Sequence, residues 1–190
     1  MTSRIRLAST KDAEQIRQIY SPYVENTVIS FETAGPSAAE MEMRIRQVMD
    51  KHLWLVYEQE GEILGYAYAS SHHERSAYSW AVDVSIYVKA DRVGRGIGKS
   101  LYSPFFKLLK LQGFCNAYAI IALPNQASTA LHEYFGFKPI GISSKVGYKF
   151  GKWIDVQWWE MHLNTHEAYP LFPCSIHQID ETRLVEAMKR

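Results

Sequence analysis

No dense run of Lys and Arg occurs in this chain: 21 basic side chains are set against 20 acidic ones for a formal net charge of +1. The electrostatic footprint of sequence-independent nucleic-acid binding is therefore missing, and no nucleic-acid partner is expected. Cysteine is almost absent. Cys115 and Cys174 lie far apart without metal-type spacing, which excludes a disulfide framework and points to reduced thiols in a cytoplasmic protein. No uninterrupted apolar stretch is long enough to span a membrane, and the polar start MTSRIRLAST reads as neither an export signal nor an anchor. The expectation is a cytoplasmic protein with no membrane partner. Repeats and low-complexity segments are missing too. What is plentiful is bulky apolar surface: 47% of the 190 residues are hydrophobic, with five Trp, twelve Tyr and eight Phe. That fills one well-buried core and leaves side chains to line a pocket for a small partner.

Along the chain, apolar and turn signals alternate in a readable order. After a strand-like IRLA, Ser9-Thr10-Lys11-Asp12 opens a helix in which Ala13, Ile16, Ile19, Tyr20, Tyr23 and Val24 have helical spacing. A second helix starts near Ala38 with the stripe Met41, Ile45, Val48 and Met49. LWLVYEQEGEILGYAYAS reads as a hairpin turning at Gln59-Glu60-Gly61-Glu62, and SWAVDVSIYV as a strand alternating Val82, Val84, Ile86 and Val88 with Ala81, Asp83, Ser85 and Tyr87. An amphipathic helix follows over Lys99 to Leu111. CNAYAIIALP then suits a strand covered on both faces, NQASTALHEYFGF a short helix ending at Gly136, and the stretch from Phe137 to Leu163 two strands around a turn. Residues 1–163 are read as one domain. Residues 164–190 are read as a C-terminal extension ending in a helix over Glu181 to Met188.

The stretch DRVGRGIGKSLY ends in Gly98-Lys99-Ser100, the tail of a nucleotide-binding P-loop. The first glycine of that pattern falls at position 93, which is Val93, so the match fails. No separate acidic strand motif for magnesium is present, which disfavours a nucleoside triphosphatase. Gly94, Gly96 and Gly98, alternating with Arg95 and Ile97, still leave backbone amides open at a helix start, where the amides and the positive helix end together hold phosphate. Either a pyrophosphate cradle or a plain glycine-rich turn fits this stretch alone.

The order of elements, with a glycine loop after a central strand and LPNQASTALHEYFGF one strand later, resembles the GNAT superfamily of N-acetyltransferases. FETAGPSAAEM, WLVYEQEGEILGYAYAS, RSAYSWAVDVSIYV and GYKFGKWIDVQWWE are similar to its phosphinothricin and methionine sulfoximine N-acetyltransferase branch, from about Arg4 to Leu163. The resemblance implies a mixed α/β fold: a mostly antiparallel, twisted central sheet of about seven strands, splayed between strands 4 and 5 and flanked by helices. It implies acetyl-CoA as co-substrate and direct transfer, in a ternary complex, to the α-amine of a small amino acid or analogue. Polyamines, aminoglycosides and protein N-termini remain open as acceptors, as does a non-enzymatic acyl-CoA sensor. A homodimer is compatible with it, the oligomeric state being left open.

Site residues follow from the same resemblance. The cradle Gly94, Arg95, Gly96, Ile97, Gly98, Lys99 and Ser100 would hold coenzyme A, with backbone groups of Ile86 and Val88 offered to pantetheine as if to an added strand. Asn125 either donates to pantetheine or caps the next helix, and Ser128 joins it. Two departures stand out: Val93 occupies the place of the loop's usual Gln or Arg, and Asp83 that of the branch's glutamate general base. One methylene shorter, Asp83 invites a bridging water. His132 stands where many relatives carry a thiolate-protonating tyrosine. Arg75 or Lys145 would grip an acidic amino acid, a guanidinium holding a carboxylate or phosphinate in two places; Lys149 is a further candidate. Phe31, Glu32, Tyr78 and Tyr148 would shape the acceptor pocket. His72 and His73, adjacent on a strand, would point apart, and no metal is expected.

Overall fold

The computed structural model describes residues 3–189. Strand β1 (Ser3–Leu7) leads through a short turn into α1 (Ala13–Asn26), in which Ala13, Ile16, Ile19, Tyr20 and Val24 are buried. The turn is fixed by Asp12, whose carboxylate accepts the Ser9 N–H at 2.7 Å and binds Arg6. Helix α2 (Ala38–Lys51) is capped by Ser37, whose hydroxyl accepts the Glu40 N–H at 3.1 Å. β2 (Trp54–Gln59) and β3 (Glu62–Ser71) form the expected hairpin, and both turn residues, Glu60 and Gly61, have positive φ, the twist that a tight hairpin needs. β4 (Ala81–Val88), α3 (Ile97–Gln112), β5 (Asn116–Ala122), α4 (Gln126–Tyr134), β6 (Lys138–Lys149), β7 (Lys152–His162) and α5 (Glu181–Met188) complete the chain.

The seven strands make one sheet in the order β1-β2-β3-β4-β5-β7-β6, antiparallel except for β4 and β5. That parallel pair is joined by three rungs only: Ala81 with Asn116, Val82 with Ala117, and Asp83 with Tyr118. β4 then stays with β3 as far as Val88, and β5 with β7 as far as Ala122. The sheet therefore opens into a V whose apex is the Asp83–Tyr118 rung. Five side chains of α3, Leu101, Tyr102, Phe105, Leu108 and Leu109, are wholly buried, at roughly 1.5–3 kcal/mol each. β5 departs from the expectation of cover on both faces. Ala117, Ala119 and Ile121 are buried while Ile120 is 47% exposed, because the strand borders the open V on its other face.

The stretch after Leu163 packs back onto the domain. Gln112 donates to the carbonyls of Lys51 and Cys174, Cys174 N–H returns to Gln112 O at 2.8 Å, and Ile176 and Ala187 join the same core cluster as α3. Trp80 ties this stretch to the segment before β4: its indole N–H donates to Leu171 O at 2.8 Å and its ring stacks on Phe172. No helix among the described residues is long and apolar enough to cross a membrane. Cys115 and Cys174 are both free thiols.

Candidate active site

The V encloses a cleft of about 700 Å³. Its floor at one end is the start of α3. Gly94 and Gly96 have φ of 82° and 80°, left-handed values that glycine takes without steric cost. Gly96 caps the helix, and no side chain reaches back to the first amides. Those N–H groups have no intrahelical acceptor, so they are available to an anion that also meets the helix's positive end. Gly98 has a different duty. A Cβ there would lie 3.0 Å from Leu131 Cδ2, so its hydrogen lets α4 close on α3. Ile97, Gly98 and Lys99 line the cleft, and the Lys99 ammonium rests 3.5 Å from the centroid of the Tyr134 ring. Arg95 and Ser100 depart from the sequence reading. Arg95 is exposed outside the cleft lining, and Ser100 N–H donates to Gly96 O at 2.9 Å, already inside the helix.

One wall is the free edge of β4. Lys89 N–H donates to Leu64 O on β3, and the alternation of an antiparallel ladder then turns Tyr87, Ser85 and Asp83 toward β3 and Val88, Ile86 and Val84 toward the cleft. Ile86 thus offers both backbone groups. Val88 offers its N–H alone, because its carbonyl accepts the hydroxyl of Tyr23 from α1. Tyr23, read from sequence only as part of a helical stripe, is a cleft residue by this contact, and no local pattern announces it. Opposite stands α4, where Asn125 accepts the Ser128 N–H at 3.2 Å as the helix cap while both residues line the cleft.

His132 is 3% exposed, although it borders the cleft. Nδ1 lies 2.8 Å from the Ser128 carbonyl, which can only accept, so Nδ1 carries the hydrogen and Nε2 accepts from the Tyr102 hydroxyl at 3.0 Å. Burial lowers its pKa to about 4. Both nitrogens are engaged within the protein and the ring is neutral near pH 7, so the geometry makes His132 a weld between α3 and α4 rather than a proton source.

At the apex, burial raises the Asp83 carboxyl above the usual carboxylate range, against the opposing hydrogen bond from His72. That bond joins His72 Nδ1 to Asp83 Oδ1 at 2.7 Å. His72 and His73 do not point apart as the sequence reading held. β3 ends at Ser71, so strand alternation no longer applies, and the two rings sit 4.9 Å apart. Among the described residues no three His, Cys, Asp or Glu are grouped so as to hold a metal ion. Arg75 opens the short turn before Tyr78; it is exposed and makes no ion pair among the described residues, and Tyr78 packs 4.7 Å from the His73 ring.

The remaining acceptor candidates separate into two kinds. Phe31 lies against Gly147 of β6, where a side chain would overlap its ring, so the loop between α1 and α2 meets the β6–β7 hairpin. Tyr148 is 60% exposed, 5.2 Å from Trp153 in that hairpin. Glu32 is already occupied by Arg44 at 2.7 and 3.1 Å and by the Tyr20 hydroxyl at 2.8 Å. Burial pushes its carboxyl up, but these partners outweigh that and hold it below its ordinary value. Lys145 sits at φ 51° in a bulge of β6 with its N–H on Asp155, outside the cleft lining. Lys149 is buried, its ammonium on the carbonyls of Val24 and Ser30 at 2.6 Å, so it holds the α1–α2 loop to β6 with two of its three donors.

Residues 5–158 match the family model described as acetyltransferase (GNAT) domain. The chain is 35% identical over 156 residues to a phosphinothricin N-acetyltransferase of Streptomyces viridochromogenes, covering 82% of this chain and 85% of the relative. It is 29% identical to an L-methionine sulfoximine/L-methionine sulfone acetyltransferase of Pseudomonas aeruginosa, covering 90% and 100%. Among solved structures, a GNAT superfamily phosphinothricin acetyltransferase from Sinorhizobium meliloti in complex with acetyl-CoA superimposes with a TM-score of 0.85 at 34% identity, over 90% of this chain and 94% of that one.

Proposed function

This chain belongs to the GNAT acetyltransferase family, and we propose that it moves the acetyl group of acetyl-CoA to the α-amine of a small amino acid or analogue, of the phosphinothricin or methionine sulfoximine and sulfone type. The observation that carries the reading is the V-shaped cleft itself, with an uncapped helix start at one end, opened where β4 parts from β5 at the rung that holds the half-buried Asp83.

The residues present fit the co-substrate. A diphosphate finds the open amides of α3 between Gly96 and Lys99, and the Lys99 ammonium, over the Tyr134 ring, borders the same cleft. An extended amide-bearing arm finds Ile86 and the Val88 N–H on the open edge of β4, pairing as an added strand would. Asn125 Oδ1 is fixed by the Ser128 N–H, which leaves its amide nitrogen to donate into the cleft. Bound in this way, the co-substrate directs its thioester toward the apex. Deprotonation of the acceptor ammonium depends there on Asp83, which stands on the rung at the apex of the V. The proton that the attacking nitrogen sheds is then available to the departing sulfur, and His132 serves by holding α4 in place.

On the acceptor side, Arg75 presents a guanidinium without an ion pair among the described residues, on the segment that also carries His72 and Tyr78. A carboxylate or phosphinate is the group such a fork selects. Phe31 and Tyr148 supply apolar wall where the α1–α2 loop meets the hairpin. The resulting assignment is of a small-molecule amine partner, a cytoplasmic setting, and residues 1–163 as the transferase unit. Incubation with acetyl-CoA and a panel of amines, scored by free thiol release, tests it. Release with phosphinothricin, methionine sulfoximine or methionine sulfone is expected. Preference for spermidine or an aminoglycoside contradicts the substrate, and no release with any amine contradicts the activity.

A further inference from the structure

His72 leaves β3 one residue after its last rung and folds back over the apex of the V. Its ring lies 4.4 Å from that of Tyr118, near-parallel at 23°, with Nδ1 on Asp83. It therefore bridges the two residues that form the last rung between β4 and β5. An ionised carboxylate only accepts hydrogen bonds, so Nδ1 carries the hydrogen and Nε2 keeps a lone pair. Nε2 has no hydrogen-bond partner among the described residues, and the side chain retains 17% of its exposure. A carboxylate behind one imidazole nitrogen, with the other nitrogen free, is the arrangement that orients a histidine base and stabilises the imidazolium it becomes.

We propose that the atom taking the proton from the acceptor ammonium is Nε2 of His72, with Asp83 as the carboxylate that holds and charges the ring from behind. This deepens the function proposed above and rests on it. The imidazole occupies the place where the short Asp83 side chain had suggested a bridging water. The balance is simple. An N–H bond of the ammonium breaks and its proton goes to Nε2; the freed lone pair forms the C–N bond at the thioester carbonyl. As the C–S bond breaks, the second proton lost by nitrogen passes to sulfur, and the imidazolium returns its proton to solvent. The groups facing the ring are Asp83 from β4, Tyr118 from β5 with Glu160 of β7 acting on it, and His73 and Tyr78 from its own segment. Ser70 of β3 is the register partner of Asp83.

Two variants test this. His72→Asn keeps an N–H for Asp83 but has no basic nitrogen, and His72→Ala opens the space beside Tyr118. His72→Asn is expected to lower kcat by about 100-fold while acetyl-CoA affinity and thermal midpoint stay near wild type, and to flatten the dependence of kcat on pH. Added imidazole should raise the rate of His72→Ala by about tenfold. A His72→Asn enzyme with wild-type kcat and pH profile overturns the assignment. So does a loss that imidazole leaves untouched in folded His72→Ala, which makes His72 structural. If the wild type transfers acetyl to no amine, the function on which this rests fails instead.

Discussion

Asp83 and Tyr118 form the last rung between β4 and β5, and past them each strand keeps only its antiparallel partner. Everything the cleft offers is set by that parting. It frees both backbone groups of Ile86 and the N–H of Val88 on β4, sets that edge across from α4 with the start of α3 at one end, and leaves Asp83 and His72 at the last rung. A ladder continued for two more rungs would seal Val84 and Ile86 against β5 and abolish the site.

The cradle depends on a backbone conformation rather than on space. A Cβ at Gly96 meets no atom within 4 Å, yet φ there is 80°, where a β-branched residue is strained by about 1–2 kcal/mol. Gly96→Val is expected to turn the cap residue out of the left-handed region and weaken acetyl-CoA binding by about tenfold or more, with the fold retained. Titration calorimetry on the folded variant checks this; unchanged affinity would remove the loop from the binding site.

Arg75 is free to recognise an anion. Arg75→Lys keeps the charge and loses the fork, so KM for the amino acid should rise by about tenfold while KM for acetyl-CoA barely moves. Steady-state kinetics with each substrate varied in turn decides it. Unaltered amino-acid kinetics would place the anion-binding group elsewhere.

His132 makes a prediction about stability. In the unfolded chain the ring takes its proton near the ordinary 6.5, whereas burial lowers that to about 4 in the folded protein. Between these values the unfolded state binds more protons, so the contribution is present above pH 6.5 and is lost as pH falls toward 4, by roughly 3 kcal/mol. Urea unfolding of wild type and His132→Phe over that range should show the variant less stable at pH 7 but with a shallower decline. Parallel declines in the two proteins would contradict a buried neutral ring.

Much of this was legible in the sequence, for reasons that differ by feature. The helices and strands followed apolar periodicity, and the turns at Gly61 and Gly96 followed glycine's tolerance of positive φ, both local signals. The open helix start at Gly96 was legible because it depends on consecutive backbone amides and one left-handed glycine. His72 was not, because two adjacent histidines alternate only while the strand lasts, and β3 stops at Ser71. Its partnership with Asp83 and Tyr118 exists only once three strands are in register. Glu32 and Lys149 misled in the opposite sense: each carries a charge in an acceptor-like segment, and each spends it inside the protein, on Arg44 and on two carbonyls. The capacity to pair is written in the residue type, but the partner is chosen by the fold.

Binding and chemistry should separate at the apex. Asp83→Asn removes the carboxylate while keeping its size, so acetyl-CoA affinity should stay close to wild type while the rate of acetyl transfer falls by roughly two to four orders of magnitude. Both quantities are measured on one preparation, affinity by calorimetry and transfer by thiol release at saturating amino acid. An Asp83→Asn protein that binds acetyl-CoA normally and turns over at near the wild-type rate across pH would contradict it.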